Sequence, residues 1–391
     1  MRRALRTAAR AAQAAQWVPL GYLGAVTLFG VLPRRPSPPG RDDVRFVVLV
    51  PAHDEQDHVA RTVAALAATD YPPERRRIVV IADNCTDATA ARAAEAGAEV
   101  WERHDPAERG KGAALDWAMV RLLADEGWDA VVLVDADSVV DPGFLRALAG
   151  RLRAGARAVQ GSYRVANPSA SVVARLAEAS FAAQSVLRPR GRARLGAAAK
   201  LQGNGMAFER SVVAAHRWSA RGITEDIEHW LVLLRDGIHP VHEPEAEVVA
   251  DMPTTVAAAR VQRDRWESGR VQLARTHARD DLRLALRRRD PVLAEAVLSE
   301  LVFPPLATQA ALVVATGALR RLTGDRRWGT TAAQTGVLVA HAAAGLAVAR
   351  APARTWLAVL LAPAVIAWKL ARKARGLLRR GPLAWERTPR S

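Results

Sequence analysis

At 391 residues the chain has room for one large domain or two of ordinary size. Its formal net charge is +16, from 56 basic against 40 acidic residues, and only Lys111, Lys200, Lys369 and Lys373 among the basic ones are lysines. The single cysteine, Cys85, excludes an internal disulfide, and nothing in cysteine usage points to an oxidising compartment.

So basic a balance would suit a nucleic-acid binder. The arginines, however, crowd the edges of apolar stretches: Arg2 to Arg10, Arg34-Arg35, Arg320-Arg321, Arg326-Arg327 and Arg372 to Arg380. Charge placed that way is the habit of membrane proteins, so the expected partner is a membrane and not nucleic acid. A codon-driven preference for Ala and Arg accounts for part of the excess.

Residues 1–16 read as an amphipathic helix, and Trp17 to Leu32 as a short membrane helix. The following Gly-Val-Leu-Pro-Arg-Arg offers no small-x-small cleavage site, so 1–33 is expected to be an anchor and not a signal peptide. Residues 34–44 are expected to be a linker, since the stretch from Pro33 to Asp43, Pro-Arg-Arg-Pro-Ser-Pro-Pro-Gly-Arg-Asp-Asp, can neither pack a core nor continue a helix. From Arg45, strands are predicted at Phe46–Val50, Ile78–Ala82, Val131–Val134 and Ala156–Gly161, with helices at His58–Ala68, Ala88–Ala96, Ala113–Ala124 and Gly143–Arg153. That alternation predicts an α/β, Rossmann-like fold with a mainly parallel sheet covered on both faces.

After Ser162 the regularity fades. Asn167 to Ala198 is Ala/Arg-rich with a Pro-Arg-Gly-Arg knot, and two strand-helix pieces follow, carrying Gln202–Phe208 and Glu225–Arg235. Near the C-terminus, Val297–Leu319 is long enough to span a bilayer but is interrupted by Phe303-Pro304-Pro305. Thr330–Ala349 and Trp356–Leu370 are cleaner membrane helices. Basic stretches at Arg320–Arg327 and Arg372–Arg380 both favour the cytoplasmic side, so the last two segments are expected to form a hairpin, with the Pro-broken one interfacial or re-entrant. Residues 292–375 are therefore expected to hold membrane segments, and 376–391 a basic tail.

The chemistry-bearing residues sit where strands end. Val131 to Val134 releases Asp135-Ala136-Asp137, and in open α/β sheets the carboxyl ends of strands are where ligands bind. Two carboxylates there can hold a divalent cation that also takes phosphate oxygens; the plainer alternative is a solvated turn, with Asp141-Pro142 capping the next helix. Asp83 ends another apolar run, and Pro51-Ala52-His53-Asp54-Glu55 follows a third. These loops could read a base and ribose, or Asp54 and Thr86 could simply cap helices.

Arg109-Gly110-Lys111-Gly112 opens a helix whose N-terminus favours anions, with Lys111 as a point charge for a diphosphate. It is not a P-loop, and an ordinary loop-helix junction is the alternative. Thr224-Glu225-Asp226 begins a helix with Thr224 as its cap; the dipole there suits an ionised base, Asp226, with Glu225 as competitor. Gln262, Arg265 and Trp266 share one helix face and could bind diphosphate and stack on a sugar; an interfacial helix with a snorkelling Arg is the alternative.

The ordered set PAHDE, ADNCTD, RGKGAAL, VDADS, LQGNGMAF, TEDIE and QRDRW resembles family 2 glycosyltransferases of GT-A fold, in the membrane-integrated branch with a Q-x-x-R-W motif. The likeness covers about Arg45 to Thr276, so 45–285 is expected to be the catalytic domain. It implies an inverting transfer from a nucleotide-sugar, with a divalent metal, Mg or Mn. By match, Pro51, Glu55, Asp83 and Lys111 would serve the nucleotide-sugar, Asp135 the nucleotide and metal, and Asp137 the metal. Asp226 would be the base. Gln262, Arg265 and Trp266 would hold donor and acceptor, while Gly203, Asn204, Gly205 and Glu225 fall on the acceptor side. Asp54 stands where the family often has Asn, and large polymer-secreting members have more spans than this chain.

The expected activity is a sugar transfer, from a UDP-sugar to a glycan, lipid or polyprenyl-linked acceptor. It would take place at the inner (plasma) membrane, from a multi-pass chain whose catalytic domain is cytoplasmic. Two other readings are a haloacid-dehalogenase-like phosphatase, which would want its D-x-D near the domain start, and a non-enzymatic basic membrane scaffold.

Overall fold

The computed structural model describes residues 1–325 and 328–361. The expected Arg372–Arg380 tail, all of 376–391 and most of Trp356–Leu370 lie outside them.

Two helices come first, α1 (Arg2–Ala15) and α2 (Trp17–Gly30). Segment 34–44 has no regular structure but is tied down. Arg41 N–H donates to Arg146 O at 3.1 Å and Ser37 Oγ to Glu243 Oε1 at 2.7 Å. Then come β1 (Phe46–Ala52), α3 (Val59–Ala67), β2 (Arg76–Asp83), α4 (Thr89–Glu95), β3 (Glu99–Arg103), α5 (Lys111–Leu123), β4 (Ala130–Leu133), β5 (Ser138–Val140), α6 (Phe144–Arg153) and β6 (Ala158–Val165). The Ala/Arg-rich stretch is helical: α7 (Val172–Phe181), a π-helical turn at 182–187, and α8 (Arg188–Arg194). After it follow β7 (Met206–Glu209), α9 (Arg210–Ala215), α10 (Glu225–Arg235), β8 (Val241–Ala250) and the 33-residue α11 (Val256–Arg288). The chain continues through α12 (Pro291–Val297) with a π-helical end, α13 (Leu306–Leu322), α14 (Gly329–Val348) and α15 (Ala353–Val359).

The eight strands form one sheet in the order β3-β2-β1-β4-β7-β6-β8-β5. It is mixed but mainly parallel, as expected, with two reversed strands: β7 runs antiparallel to both β4 and β6, and β5 antiparallel to β8. The alternating βα pattern revealed β1, β2, β4 and β6, but missed the edge strand β3 and, in the far half, β5 and β8. There β5 has three residues, and β8 reads as Val-His-Glu-Pro-Glu-Ala-Glu, too polar for a buried strand. Its Glu243 is fully buried because Arg151 Nε donates to it at 2.7 Å; a buried carboxylate needs such a partner.

One core on the first face of the sheet joins Leu115, Leu122, Phe208, Trp218, Trp230 and Leu293. A second, on the other face, joins Phe46, Val63, Leu66, Phe144, Leu145 and Leu148, so both faces are covered. A smaller apolar cluster, Leu20, Leu23 and Val313 with Val337 and Leu338 against it, holds α2, α13 and α14 together.

Among the described residues, only α14 is by itself long and apolar enough to cross a membrane. The Pro-broken segment is bent by 67° between α12 and α13, at the expected Phe303-Pro304-Pro305. At 14 residues, or about 21 Å, α2 is short for the hydrocarbon core of a bilayer. It lies against α8 so closely that a Cβ on Gly191 would fall 2.1 Å from Val26 O. Gly191→Val is therefore expected to destabilise by about 1–3 kcal/mol as backbones separate. Thermal unfolding of the detergent-solubilised chain checks this, and an unchanged midpoint would contradict the close packing.

Candidate active site

β1, β2 and β4 are parallel neighbours, so their carboxyl ends share one edge of the sheet. β7 starts from that edge: Met206 pairs with Leu133, and Gly205 N–H donates to Leu133 O at 2.9 Å. The topology thus gathers four loops far apart in sequence around one cavity of about 2150 Å³. That is more than one small ligand fills, and it leaves room for a donor and an acceptor together.

On the β1–β2 side, Pro51, Glu55 and Asp83 line the cavity. Asp83 is buried, and Arg103 Nη1 donates to its Oδ1 at 2.7 Å, with Asn84 Nδ2 on the same oxygen at 3.0 Å. His53 Nδ1 lies 2.7 Å from Asp83 O. The capping alternative for Asp54 and Thr86 is not what the side chains do. Asp54, at φ +53°, accepts from Thr86 N–H at 2.7 Å, which ties one loop to the other. A left-handed residue is tolerated there as Asp or Asn.

Asp135 and Asp137 stand on the cavity wall. Lys111, at the start of α5, is ion-paired with Asp135 and donates to Gly203 O at 2.6 Å. Asp135 N–H donates to Asn204 Oδ1 at 3.2 Å, Asn204 Nδ2 donates to Ser138 Oγ at 2.8 Å, and Ser138 Oγ donates to Asp137 Oδ1 at 3.3 Å. Gly203 faces the cavity, whereas Asn204 is fully buried and braces the acidic loop from behind. Gly205, at φ +66°, packs on Val248. Gly110, at φ +108°, makes the turn into α5, and Gly112 makes room for the loop after α9, where an added Cβ would fall 2.1 Å from Ala220 O.

Glu225 and Asp226 open α10 and line the same cavity. Thr224 occupies the cap position but makes no side-chain capping bond; it sits against Gly269 of α11, where any side chain would collide with it. A Cβ on Gly203 would lie 3.5 Å from Asp226 Oδ2 and 3.7 Å from Lys111 Nζ. Asp135, Lys111 and Asp226 therefore converge around one glycine. Burial, and after it the charge of Asp226, pushes the Glu225 carboxyl up to about 7. Burial raises Asp226 as well, against the opposing pull of Lys200. Burial would lower the Lys111 ammonium, but Asp135 and then Glu225 outweigh it and hold it above its ordinary value.

Gln262, Arg265 and Trp266 lie on one face of α11 and on the cavity wall. Trp266 continues an aromatic row: its ring centroid is 6.4 Å from that of Phe181, which stands edge-on to Tyr163 at 5.1 Å. Further along, Arg270 donates to Glu300 O and Phe303 O, both at 3.0 Å, and fixes the bent segment onto α11.

Sequence reasoning did not find Arg103, the partner of Asp83. It also passed over Lys200, which lines the cavity and donates to Glu300 Oε2 at 3.0 Å. The scarcity of lysine had already singled out Lys111 and could have singled out Lys200. Arg192 and Glu300 form a buried pair at 3.1 Å that no local pattern announces.

Asp135 and Asp137 offer hard oxygen donors one residue apart on an accessible wall. This donor set fits Mg²⁺ or Mn²⁺, which take few protein carboxylates and fill their remaining positions with water and phosphate oxygens. Asp54, Cys85 and Asp87 also lie close together. Those carboxylates, however, serve Thr86 and Thr89 within the loops.

A family described as "Glycosyltransferase like family 2" matches residues 44–269. The chain is 27% identical over 235 residues to "Probable glycosyltransferase YdaM" of Bacillus subtilis, covering 57% of this chain and 54% of that protein. It is 27% identical over 238 residues to "Beta-monoglucosyldiacylglycerol synthase" of Synechocystis, covering 58% and 47%. The chain thus spans about half the length of the curated relatives it matches. In fold it is similar to the mannosyltransferase PcManGT from Pyrobaculum calidifontis, solved with GDP-Man and Mn²⁺. The TM-score is 0.55 and the identity 20%, over 88% of this chain and 99% of that one.

Proposed function

Because this chain belongs to glycosyltransferase family 2, we propose that it moves a hexosyl or N-acetylhexosaminyl unit, with inversion, from a UDP-sugar to a lipid or glycan acceptor. The convergence of Asp135, Lys111 and Asp226 around Gly203 carries this reading. Asp83, Glu55 and Pro51 receive the nucleotide. Lys111 presents a positive charge to the diphosphate. Asp135 and Asp137 are the residues that would hold the divalent metal, whose charge offsets that developing on the departing nucleotide. Asp226 takes the acceptor's proton, and Gln262, Arg265 and Trp266 hold donor and acceptor in line. The charge of Asp226, added to burial, holds a proton on Glu225.

The spanning-length α14 and the arginines flanking the apolar terminal stretches support a plasma-membrane enzyme with residues 45–285 on the cytoplasmic side, where nucleotide-sugars are made. Neither the phosphatase nor the scaffold reading accounts for the QRDRW face sharing one cavity with the carboxylates.

Release of nucleoside diphosphate from a panel of UDP- and GDP-sugars, with Mg²⁺ or Mn²⁺ and after chelation, tests the reading. No turnover with any donor would sink it. Since the base works only when ionised, and burial raises both carboxyls of the Glu225–Asp226 pair, kcat/KM is expected to rise with pH on a limb above the ordinary carboxylate range. A limb at ordinary carboxylate values would contradict the assignment. The folded protein keeps a proton on Glu225 that an unfolded chain has shed, so the stability Glu225 contributes declines as pH rises from 4.5 to about 7.

A further inference from the structure

Resting on that transferase reading, the geometry points to a lipid alcohol as the acceptor, its hydroxyl at Asp226 and its hydrocarbon chains along an apolar wall built by the terminal helices. The cavity that holds Asp135 and Asp226 does not end at the polar site. It runs on to Leu23 of α2, Val314 of α13, Leu338, Val339 and Leu346 of α14, and Trp356 of α15. Val314 is 68% exposed and Val339 61% exposed, so this wall also reaches the molecular surface. Val339 belongs to the one described helix that can cross a membrane alone. The open end of the wall therefore lies where bilayer hydrocarbon would meet the protein.

The boundary between the two chemistries is built into the same cavity. Arg192 and Lys200 converge on Glu300 at 3.1 and 3.0 Å, and Arg270 grips the backbone beside it. The carboxylates, this charged belt and the mainly apolar wall of the terminal helices all line that one cavity. Gln309, Thr335 and His341 also line it, but a glycan needs hydrogen-bonding partners along its whole length, and a wall of mainly apolar side chains offers few. A hydrocarbon chain needs none. The headgroup is an alcohol because a carboxylate base has work to do on a hydroxyl, whereas a phosphate acceptor is already ionised at neutral pH. The hydroxyl oxygen bonds to the anomeric carbon of the sugar as that carbon's bond to the diphosphate oxygen breaks. The hydroxyl proton passes to Asp226, and the electron pair of the broken bond leaves on the nucleoside diphosphate.

The full chain in detergent, supplied in turn with UDP-glucose, UDP-N-acetylglucosamine and GDP-mannose, would be offered dibutanoyl-, dihexanoyl- and dioctanoylglycerol, each below its micellar concentration. Glucose, maltose and decyl phosphate are the competing acceptors. Burying a methylene is worth roughly fourfold in affinity, so kcat/KM is expected to rise at least about tenfold at each step of the diacylglycerol series. Val314→Glu places a carboxylate at an exposed position on the wall. It is expected to raise KM for dioctanoylglycerol about tenfold more than for dibutanoylglycerol. Equal efficiency along the series, as when protein already fills the wall, overturns the lipid-alcohol site; so does a preference for glucose, maltose or decyl phosphate. Absence of any donor cleavage overturns the transferase reading and this inference with it.

Discussion

Asp226→Asn is expected to lower kcat by roughly 10²- to 10⁴-fold, the usual contribution of a positioned general base. Asn keeps the size of the side chain and leaves the start of α10 able to fold, but it cannot accept the acceptor's proton. Donor binding relies on other residues, so KM for the nucleotide-sugar should move little, and the loss should appear in the transfer step. Glu225 is the control. It shares the cavity and the helix N-terminus, yet the convergence on Gly203 involves Asp226 Oδ2. Glu225→Gln should cost about tenfold or less and shift the pH limb, since a neighbouring charge has been removed. Steady-state kinetics with the active donor decide the matter. A collapse in Glu225→Gln with near-normal Asp226→Asn would exchange the two roles.

Asp137→Ala is expected to cost roughly 10²- to 10³-fold in metal-stimulated turnover, the scale seen when one preorganised electrostatic partner of a transition state is removed. The side chain is partly exposed on the cavity wall and sits in the turn between β4 and β5, so its loss should leave the sheet intact. Asp135 remains, paired with Lys111, and by itself is a poor site for a divalent cation. Mn²⁺ titration followed by calorimetry should show weakened binding in the variant, independent of turnover. Unchanged Mn²⁺ affinity together with full activity would remove Asp137 from the metal site, and would revive the solvated-turn reading of this loop.

Local chemistry made much of this legible from the residues alone. A four-residue apolar strand followed by two carboxylates is a strong pattern, because burial dictates the strand and the strand's end dictates where ligands sit. The interruption at Phe303-Pro304-Pro305 was equally plain, since proline cannot continue a helix. The i, i+3, i+4 spacing placed Gln262, Arg265 and Trp266 on one face before any tertiary contact was known. The edge strands β3 and β5 and the polar β8 were not legible. A strand such as β8 carries Glu243 inward, and only a partner from another element, Arg151, makes that tolerable. Short antiparallel pieces such as β5 carry too few residues to state a period.

The order of motifs, the identity of each carboxylate and lysine, and the alternation that builds the parallel half of the sheet belong to the sequence itself, because each depends on neighbours a few residues away. Tertiary structure decided the rest: that Asp226 and Lys111 meet at Gly203, that Asp83 is held by Arg103, that Asn204 braces the acidic loop from behind, and that the polar cavity opens into an apolar wall. Those outcomes depend on which strands pair and how closely backbones approach. They are set by packing and desolvation summed over the whole chain, and no local window of residues contains that sum.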